Sequence, residues 1–258
     1  MQTIISSLAE SLRNAEETKI PIPPIATKLP SVEDAYAVQE ANTAHWTSAG
    51  RRLVGRKIGL TSRSVQKQLG VNEPDYGMLF ADMMIPDGWE LSRARLIQPK
   101  LEGEVAFVLG RDLDLEQITI ADVIRAIDFA VPAIEIVDSR IKDWKISLYD
   151  TVADNASSGL YVIGNEPKRL DKLNLRDARM AMELGGEKIS FGEGAACLGH
   201  PINAVWWLAH VMKRVDHPLK SGDTVLSGAL GPMVAPKWDG VVEMRINGLG
   251  AVHLGLVP

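Results

Sequence analysis

The chain has 258 residues, 46% of them hydrophobic and 24% charged, with a formal net charge of −5 and a single cysteine. This length suits one large domain, or a main domain with an appendage, and the acidic balance with only short basic clusters (Arg51-Arg52, Arg56-Lys57) excludes a nucleic-acid-binding surface. One cysteine excludes an intrachain disulfide, no apolar run reaches the ~18 residues of a membrane helix, and the opening lacks the pattern of a signal peptide, so a cytoplasmic protein is expected.

In chain order, Ile4, Ile5, Leu8 and Leu12 recur at helical spacing, which predicts an amphipathic helix over 3–19. The proline-rich stretch 20–30 is extended. Ser31 caps a second helix reaching about Ser48, with Asp34 supporting the cap. From Arg51 onward, short apolar runs are broken by Gly, Pro and Asp. They predict strands over 53–58, 104–109, 130–137, 160–163, 180–184, 224–227, 241–246 and 250–254, and helices over 62–69, 120–126 and 200–215. Many strands with few helices between them argue against a doubly wound sheet. The expected class is α+β: a curved, mixed, partly closed sheet in a catalytic domain, 53–258, preceded by a small helical region, 1–52.

The run Leu101-Glu-Gly-Glu-Val-Ala-Phe-Val-Leu109 carries the clearest chemical signal. Residues i and i+2 of a strand share a face about 7 Å apart, so Glu102 and Glu104 put two carboxylates on one side of an apolar element. Glu135 stands alone in a second apolar run, Ala130-Val-Pro-Ala-Ile-Glu-Ile-Val137. A single such Glu more often faces solvent at a strand edge. Three of them point to a hard divalent cation, Mg²⁺ or Mn²⁺, which compensates their charge and leaves positions open for substrate.

Lys57 lies between Gly55 and Gly59 at the end of a strand, where it either holds an anion and moves protons or is a solvated charge. Glu73-Pro-Asp-Tyr-Gly77 reads as a turn in which Asp75 is a stabilising residue or an acid/base. The polar stretch Tyr149–Gly159 is either plain surface or the wall of a site. Leu226-Ser-Gly-Ala-Leu-Gly-Pro232 offers backbone N–H groups to a carboxylate but lacks a P-loop lysine, and Gly192–Cys197 lacks the third glycine of a dinucleotide fingerprint. Cys197 and His200 read as a buried thiol and a helix-start residue, and Trp206-Trp207 as core or subunit packing.

Several motifs together resemble the fumarylacetoacetate hydrolase superfamily, in its hydratase/decarboxylase branch. They are Arg56-Lys-Ile-Gly-Leu-Thr-Ser62, Glu73-Pro-Asp-Tyr-Gly77, Glu102-Gly-Glu104, Val131-Pro-Ala-Ile-Glu-Ile-Val-Asp-Ser-Arg140, Val152-Ala-Asp-Asn-Ala-Ser-Ser158, Leu198-Gly-His-Pro-Ile-Asn203 and Gly228-Ala-Leu-Gly-Pro-Met233, spread over roughly 35–252. The resemblance implies the divalent ion on Glu102, Glu104 and Glu135. It implies Lys57 and Asp75 as acid/base groups, and substrate contacts from Leu60, Ser157, Ser227 and Gly228. It also implies a homo-oligomer with a small-molecule substrate and, in a cell, neighbouring enzymes of an aromatic meta-cleavage route. The implied reaction is hydration of 2-hydroxypenta-2,4-dienoate. Decarboxylation of 2-oxohex-3-enedioate and hydration of a longer or substituted dienoate stay open, and the acid at position 75 favours hydration.

Overall fold

The computed structural model describes residues 1–63, 66–67 and 70–258. Its centre is an antiparallel pair of long strands, β5 (Lys100–Leu109) and β6 (Ile127–Val137), longer than the apolar runs predict because Lys100 and Ile127 extend each ladder. Around them a mixed sheet of seven strands takes the order β2-β1-β10-β5-β6-β7-β3. Its other members are β1 (Leu53–Gly59), β2 (Asp75–Phe80), β3 (Met84–Ile85), β7 (Ser158–Ile163) and β10 (Thr224–Leu226). The strand β10 arrives late in the chain and slots between β1, which it pairs in parallel, and β5.

The two outer strands of this sheet, β2 and β3, are joined by only Ala81–Met83. Seven strands laid flat would separate their outer members by about 29 Å. The linker from Phe80 to Met84 spans at most about 15 Å. The sheet therefore has to curl until its edges come near each other, which is the partly closed, barrel-like form expected from the sequence. A second sheet of five strands, β4-β12-β11-β8-β9, packs against it. It comprises β4 (Glu90–Ser92), β8 (Arg179–Leu184), β9 (Glu187–Glu193), β11 (Gly240–Ile246) and β12 (Gly250–Val257). Phe107, Ile134, Met180, Met182, Val242, Met244 and Leu254 fill the space between them. Each such buried side chain contributes roughly 1.5–3 kcal/mol.

The N-terminal helices form as expected: α1 (Gln2–Thr18) and α2 (Val32–Ser48), the latter capped by Ser31, whose Oγ accepts from Asp34 N at 3.2 Å. Leu8, Leu12, Ala35 and Val38 pack with Val152 and Ala153 in a second apolar cluster. The helices Ile120–Ala126 and Pro201–Arg214 match their expected positions. The expected helix over 62–69 includes residues 64, 65, 68 and 69, which lie outside the described residues.

The stretch 20–30 is not extended throughout, since Ala26–Lys28 forms a short 3-10 helix, and two further segments bear on the site. Asp75 is not in a turn; it opens β2, all of whose residues are buried. The 149–159 stretch is not surface: it forms the short helix Leu148–Ala153 and a tight turn, Asn155–Ser157, and is buried from Asp150 to Ser158.

Candidate active site

Strand register assembles the glutamates. Glu102 and Glu104 share a face of β5, and Glu135 on β6 stands directly across from Glu102. One carboxylate oxygen from each lies within 4.8 Å of the others. Glu104 and Glu135 are 0% exposed, whereas Glu102 is partly open to solvent.

Lys57 reaches this cluster from β1, its Nζ 3.2 Å from Glu135 Oε1 and donating to the Ala156 carbonyl at 3.1 Å. Asp75 pairs in register with Gly59. A Cβ at position 59 would collide with Asp75 Oδ1 and stand 3.5 Å from Lys57 Nζ. The missing side chain leaves room for the Asp75 carboxylate beside Gly59, near enough to Lys57 for each charge to act on the other.

Burial and mutual repulsion dominate the electrostatics. Burial first, then the charge of Glu135, pushes Glu102 up to about 7. Burial, then the charges of Glu135 and Glu102, raise Glu104 well above its ordinary value, and burial raises Glu135 despite Lys57. Burial also raises Asp75, against the pull of Lys57. For Lys57, burial acts to lower the ammonium, but Glu135 and then Asp75, Glu102 and Glu104 outweigh it and hold it above its ordinary value.

Among the described residues, Glu104 Oε1, both Glu135 oxygens and Asp75 Oδ1 are buried without a hydrogen-bond donor. The Lys57–Glu135 contact is a charge pair rather than an aligned hydrogen bond. Buried acceptors are ordinarily satisfied, so this concentration of bare carboxylate oxygen marks a place built for a cation. An all-oxygen, anionic donor set suits a hard divalent ion, and Glu102, Glu104 and Glu135 are the residues that would hold it.

The other expected contacts stand close by. Ser157 is buried, and its Oγ lies 3.3 Å from Thr151 Oγ1. Leu60 has a left-handed backbone (φ 57°), and its carbonyl accepts from Gln66 Nε2 at 2.7 Å. Gly228 N donates to Glu104 Oε2 at 2.9 Å, so that amide orients a glutamate here. The Ser227 hydroxyl accepts from Val105 N and donates to the Gly228 carbonyl. Cys197 donates from Sγ to the Ser227 carbonyl at 3.0 Å, and burial pushes its thiol up to about 12. His200 uses Nδ1 to cap its helix, accepting from Ile202 N. They act as the structural residues expected of them.

Sequence reasoning missed the support beneath the site. Asn155, Ala156 and Ser157 are three successive non-glycine residues in the left-handed region (φ 54°, 51° and 53°). Each costs about 1–2 kcal/mol relative to ordinary backbone. Around them Arg140 and Asp154 form a buried pair, Nε to Oδ1, at 2.5 Å. The available signal was the charge carried by Asp138-Ser-Arg140 and Asp154-Asn155 inside otherwise apolar surroundings. A cleft of about 400 Å³ opens elsewhere, lined by Glu16, Arg51, Asp82, Asp138 and Arg140 among others. Two of its charged pairs are already joined within the protein, Arg51 with Asp82 and Arg140 with Asp154, whereas the glutamate cluster keeps carboxylate oxygens without donors.

Residues 35–257 match the model of the fumarylacetoacetate (FAA) hydrolase C-terminal family. The chain belongs to the fumarylacetoacetate hydrolase family. Within it, the chain is 58% identical over 250 residues to the TodF product hydratase of Pseudomonas putida, covering 96% of this chain and 93% of that one. It is 59% identical over 220 residues to 2-keto-4-pentenoate hydratase 1 of Dechloromonas aromatica, covering 85% and 84%. Among solved structures it superposes on 4-oxalocrotonate decarboxylase from Pseudomonas putida G7, complexed with magnesium and adipate, with a TM-score of 0.95, 33% identity, and 100% and 98% coverage. The family match takes in both sheets, and the likeness to that decarboxylase extends through the N-terminal helices as well.

Proposed function

We propose that this chain is a divalent-metal-dependent hydratase that converts 2-hydroxypenta-2,4-dienoate to 4-hydroxy-2-oxopentanoate in aromatic meta-cleavage catabolism. The observation that carries this reading is Asp75: a buried carboxylate with one oxygen free of donors, set against Lys57 beside the three-glutamate cluster. Its setting in a chain more than half identical to named hydratases supports hydration.

When bound by Glu102, Glu104 and Glu135, Mg²⁺ or Mn²⁺ would supply Lewis acidity to the substrate's carboxylate and 2-oxygen. The residues do the rest. The dienol loses its 2-hydroxyl proton and gains one at C5, giving the 2-oxo-3-enoate. Asp75, made more basic by burial, takes a proton from water as its oxygen adds at C4, and C3 is protonated in turn. The sum is one added water. Lys57 donates to Ala156 O and pairs its charge with Glu135, and a remaining N–H serves the substrate carboxylate or relays a proton. Leu60, Ser157 and the Ser227–Gly228 corner shape the surrounding wall. In this reading residues 1–52 form a helical appendage to a catalytic domain, 53–258. The protein works as a cytoplasmic homo-oligomer beside other enzymes of its pathway; among the described residues no helix is long and apolar enough to cross a membrane.

The test mixes EDTA-stripped protein with the dienoate, with and without Mg²⁺, following dienol absorbance and product mass. A Mg²⁺-dependent gain of one water supports the reading. The match to 4-oxalocrotonate decarboxylase favours one alternative, loss of CO₂ from 2-oxohex-3-enedioate. Turnover of that diacid with none of the five-carbon dienoate would replace hydration. Lys57→Met and Asp75→Asn should each lose about 10²–10⁴-fold in turnover while keeping metal affinity; full activity in either removes that residue from the mechanism.

A further inference from the structure

The Lys57 ammonium is fixed on one side by Glu135 and on the other by the carbonyl of Ala156. That carbonyl faces the site only because residues 155–157 run in the left-handed region, which side chains disfavour. Something must hold them there, and the surrounding bonds identify it. Arg140 brackets the turn: Nη2 donates to the Asp154 carbonyl at 2.5 Å, just before it, and Nη1 to the Ser158 carbonyl at 2.7 Å, just after it. Asp154 returns the grip, its carboxylate accepting from Arg140 Nε, Arg140 N and Ser139 Oγ. On the far side, Asn155 bonds both the N–H and the carbonyl of Met78 on β2, the residue after Gly77, the partner of Lys57. A side chain at Gly77 would strike the Asn155 carbonyl, so β2 has room for the turn only as it stands.

We propose that Arg140 and Asp154 are positioning residues for the reaction: together they hold the Asn155–Ser157 turn so that the Ala156 carbonyl fixes the Lys57 ammonium and Ser157 lines the site. Neither touches the glutamate cluster in the contacts described, so their effect passes through the turn. A planar guanidinium spans both carbonyls at once, which a lysine cannot do. This rests on the hydratase reading above.

The test uses the Mg²⁺-loaded enzyme with Arg140→Lys, which keeps the charge, and the double variant Arg140→Met/Asp154→Leu, which removes both charges at similar volume and spares the fold an unpaired ion. We expect kcat to fall about 10- to 100-fold in both, as for residues that orient a site from behind it, with KM and Mg²⁺ affinity within about threefold of wild type. Wild-type kcat in either variant, even with a lowered melting temperature, would reduce the pair to scaffolding and overturn the proposal. So would equal losses of kcat, substrate affinity and Mg²⁺ affinity. Hydrogen exchange on the wild-type protein judges the clamp without substrate or substitution: the amides of Ser157 and Asp138, bonded to the Asp154 and Ser157 carbonyls, should be as protected as those of β6. Rapid exchange there overturns the proposal. Failure of the wild-type enzyme to hydrate the dienoate would sink the functional reading, while leaving the clamp to the exchange measurement.

Discussion

The glutamate cluster and the Arg140–Asp154 pair both bury charge, yet they resolve it in opposite ways. Around Glu104 and Glu135, carboxylate oxygens sit in the interior without donors, and burial, joined at Glu104 by the charges of Glu135 and Glu102, raises their proton affinity. Around Arg140 and Asp154, the guanidinium and the carboxylate bond to each other and to the backbone on both sides. Charge left unsatisfied costs stability and is retained where a ligand will compensate it; charge satisfied from all sides organises the chain. In this protein the two kinds meet at Lys57, which touches Glu135 from the first and Ala156 O from the turn built on the second.

Substitution should separate them most sharply through activity. Glu104→Gln is expected to abolish Mg²⁺ binding and lower turnover by on the order of 10³-fold, because a ligand worth several kcal/mol is lost. The same change should raise the melting temperature of the metal-free protein, since it removes a buried repelling charge. Calorimetry showing the metal-free variant less stable than wild type would break the contrast. At the satisfied pair the sign reverses. Arg140→Met alone should cost about 3–5 kcal/mol by stranding Asp154, and adding Asp154→Leu should recover part of it. Additive losses in a denaturant-based double-mutant cycle would show no coupling.

Acidity gives a subtler separation. With Glu102 raised to about 7 in the metal-free protein, Mg²⁺ must displace a proton, so apparent metal affinity should climb as pH rises through that value. Stability runs the other way. A carboxyl whose folded value exceeds its unfolded one stabilises fully below the unfolded value of about 4.5, and that contribution is lost as pH rises through about 7. Melting curves of stripped protein between pH 4 and 8, flat or rising over that range, would contradict the repulsive cluster. The smallest effect is expected at Cys197→Ser, which keeps the donor to the Ser227 carbonyl at similar volume and should leave turnover near wild type. A large loss there would mean that the thiol does chemistry.

The parts of this arrangement differed in how openly the sequence displayed them. Glu102, Glu104 and Glu135 were legible because each is an acid inside an apolar run and strand periodicity puts the first two on one face; the register that sets Glu135 across from Glu102 is not written locally. Ser31 and Asp34 likewise announced α2 by local chemistry. Asp75 was read as a turn residue because Pro74 and Gly77 flank it; its place at the head of β2 depends on pairing with β1, which no local pattern encodes. The Tyr149–Gly159 stretch could be read from its polarity as plain surface or as the wall of a site, with nothing local to choose between them. Its polar atoms are consumed by a turn that needs them, and that demand arises only from the left-handed backbone at Asn155, Ala156 and Ser157. The edge strands β3, β4 and β9 are short or exposed and carry no alternating signal.

The placement of β10 has a consequence for how the protein is made. Among the described residues it is the one strand between β1 and β5, and it begins at Thr224. Until that stretch is available, Lys57 and Asp75 lie on one fragment of sheet and the three glutamates on another. Gly228, whose amide orients Glu104 across a separation of 124 residues, follows directly after β10. A nascent or truncated chain ending before residue 224 therefore lacks the strand that joins Lys57 and Asp75 to the three glutamates, and is expected to show no turnover.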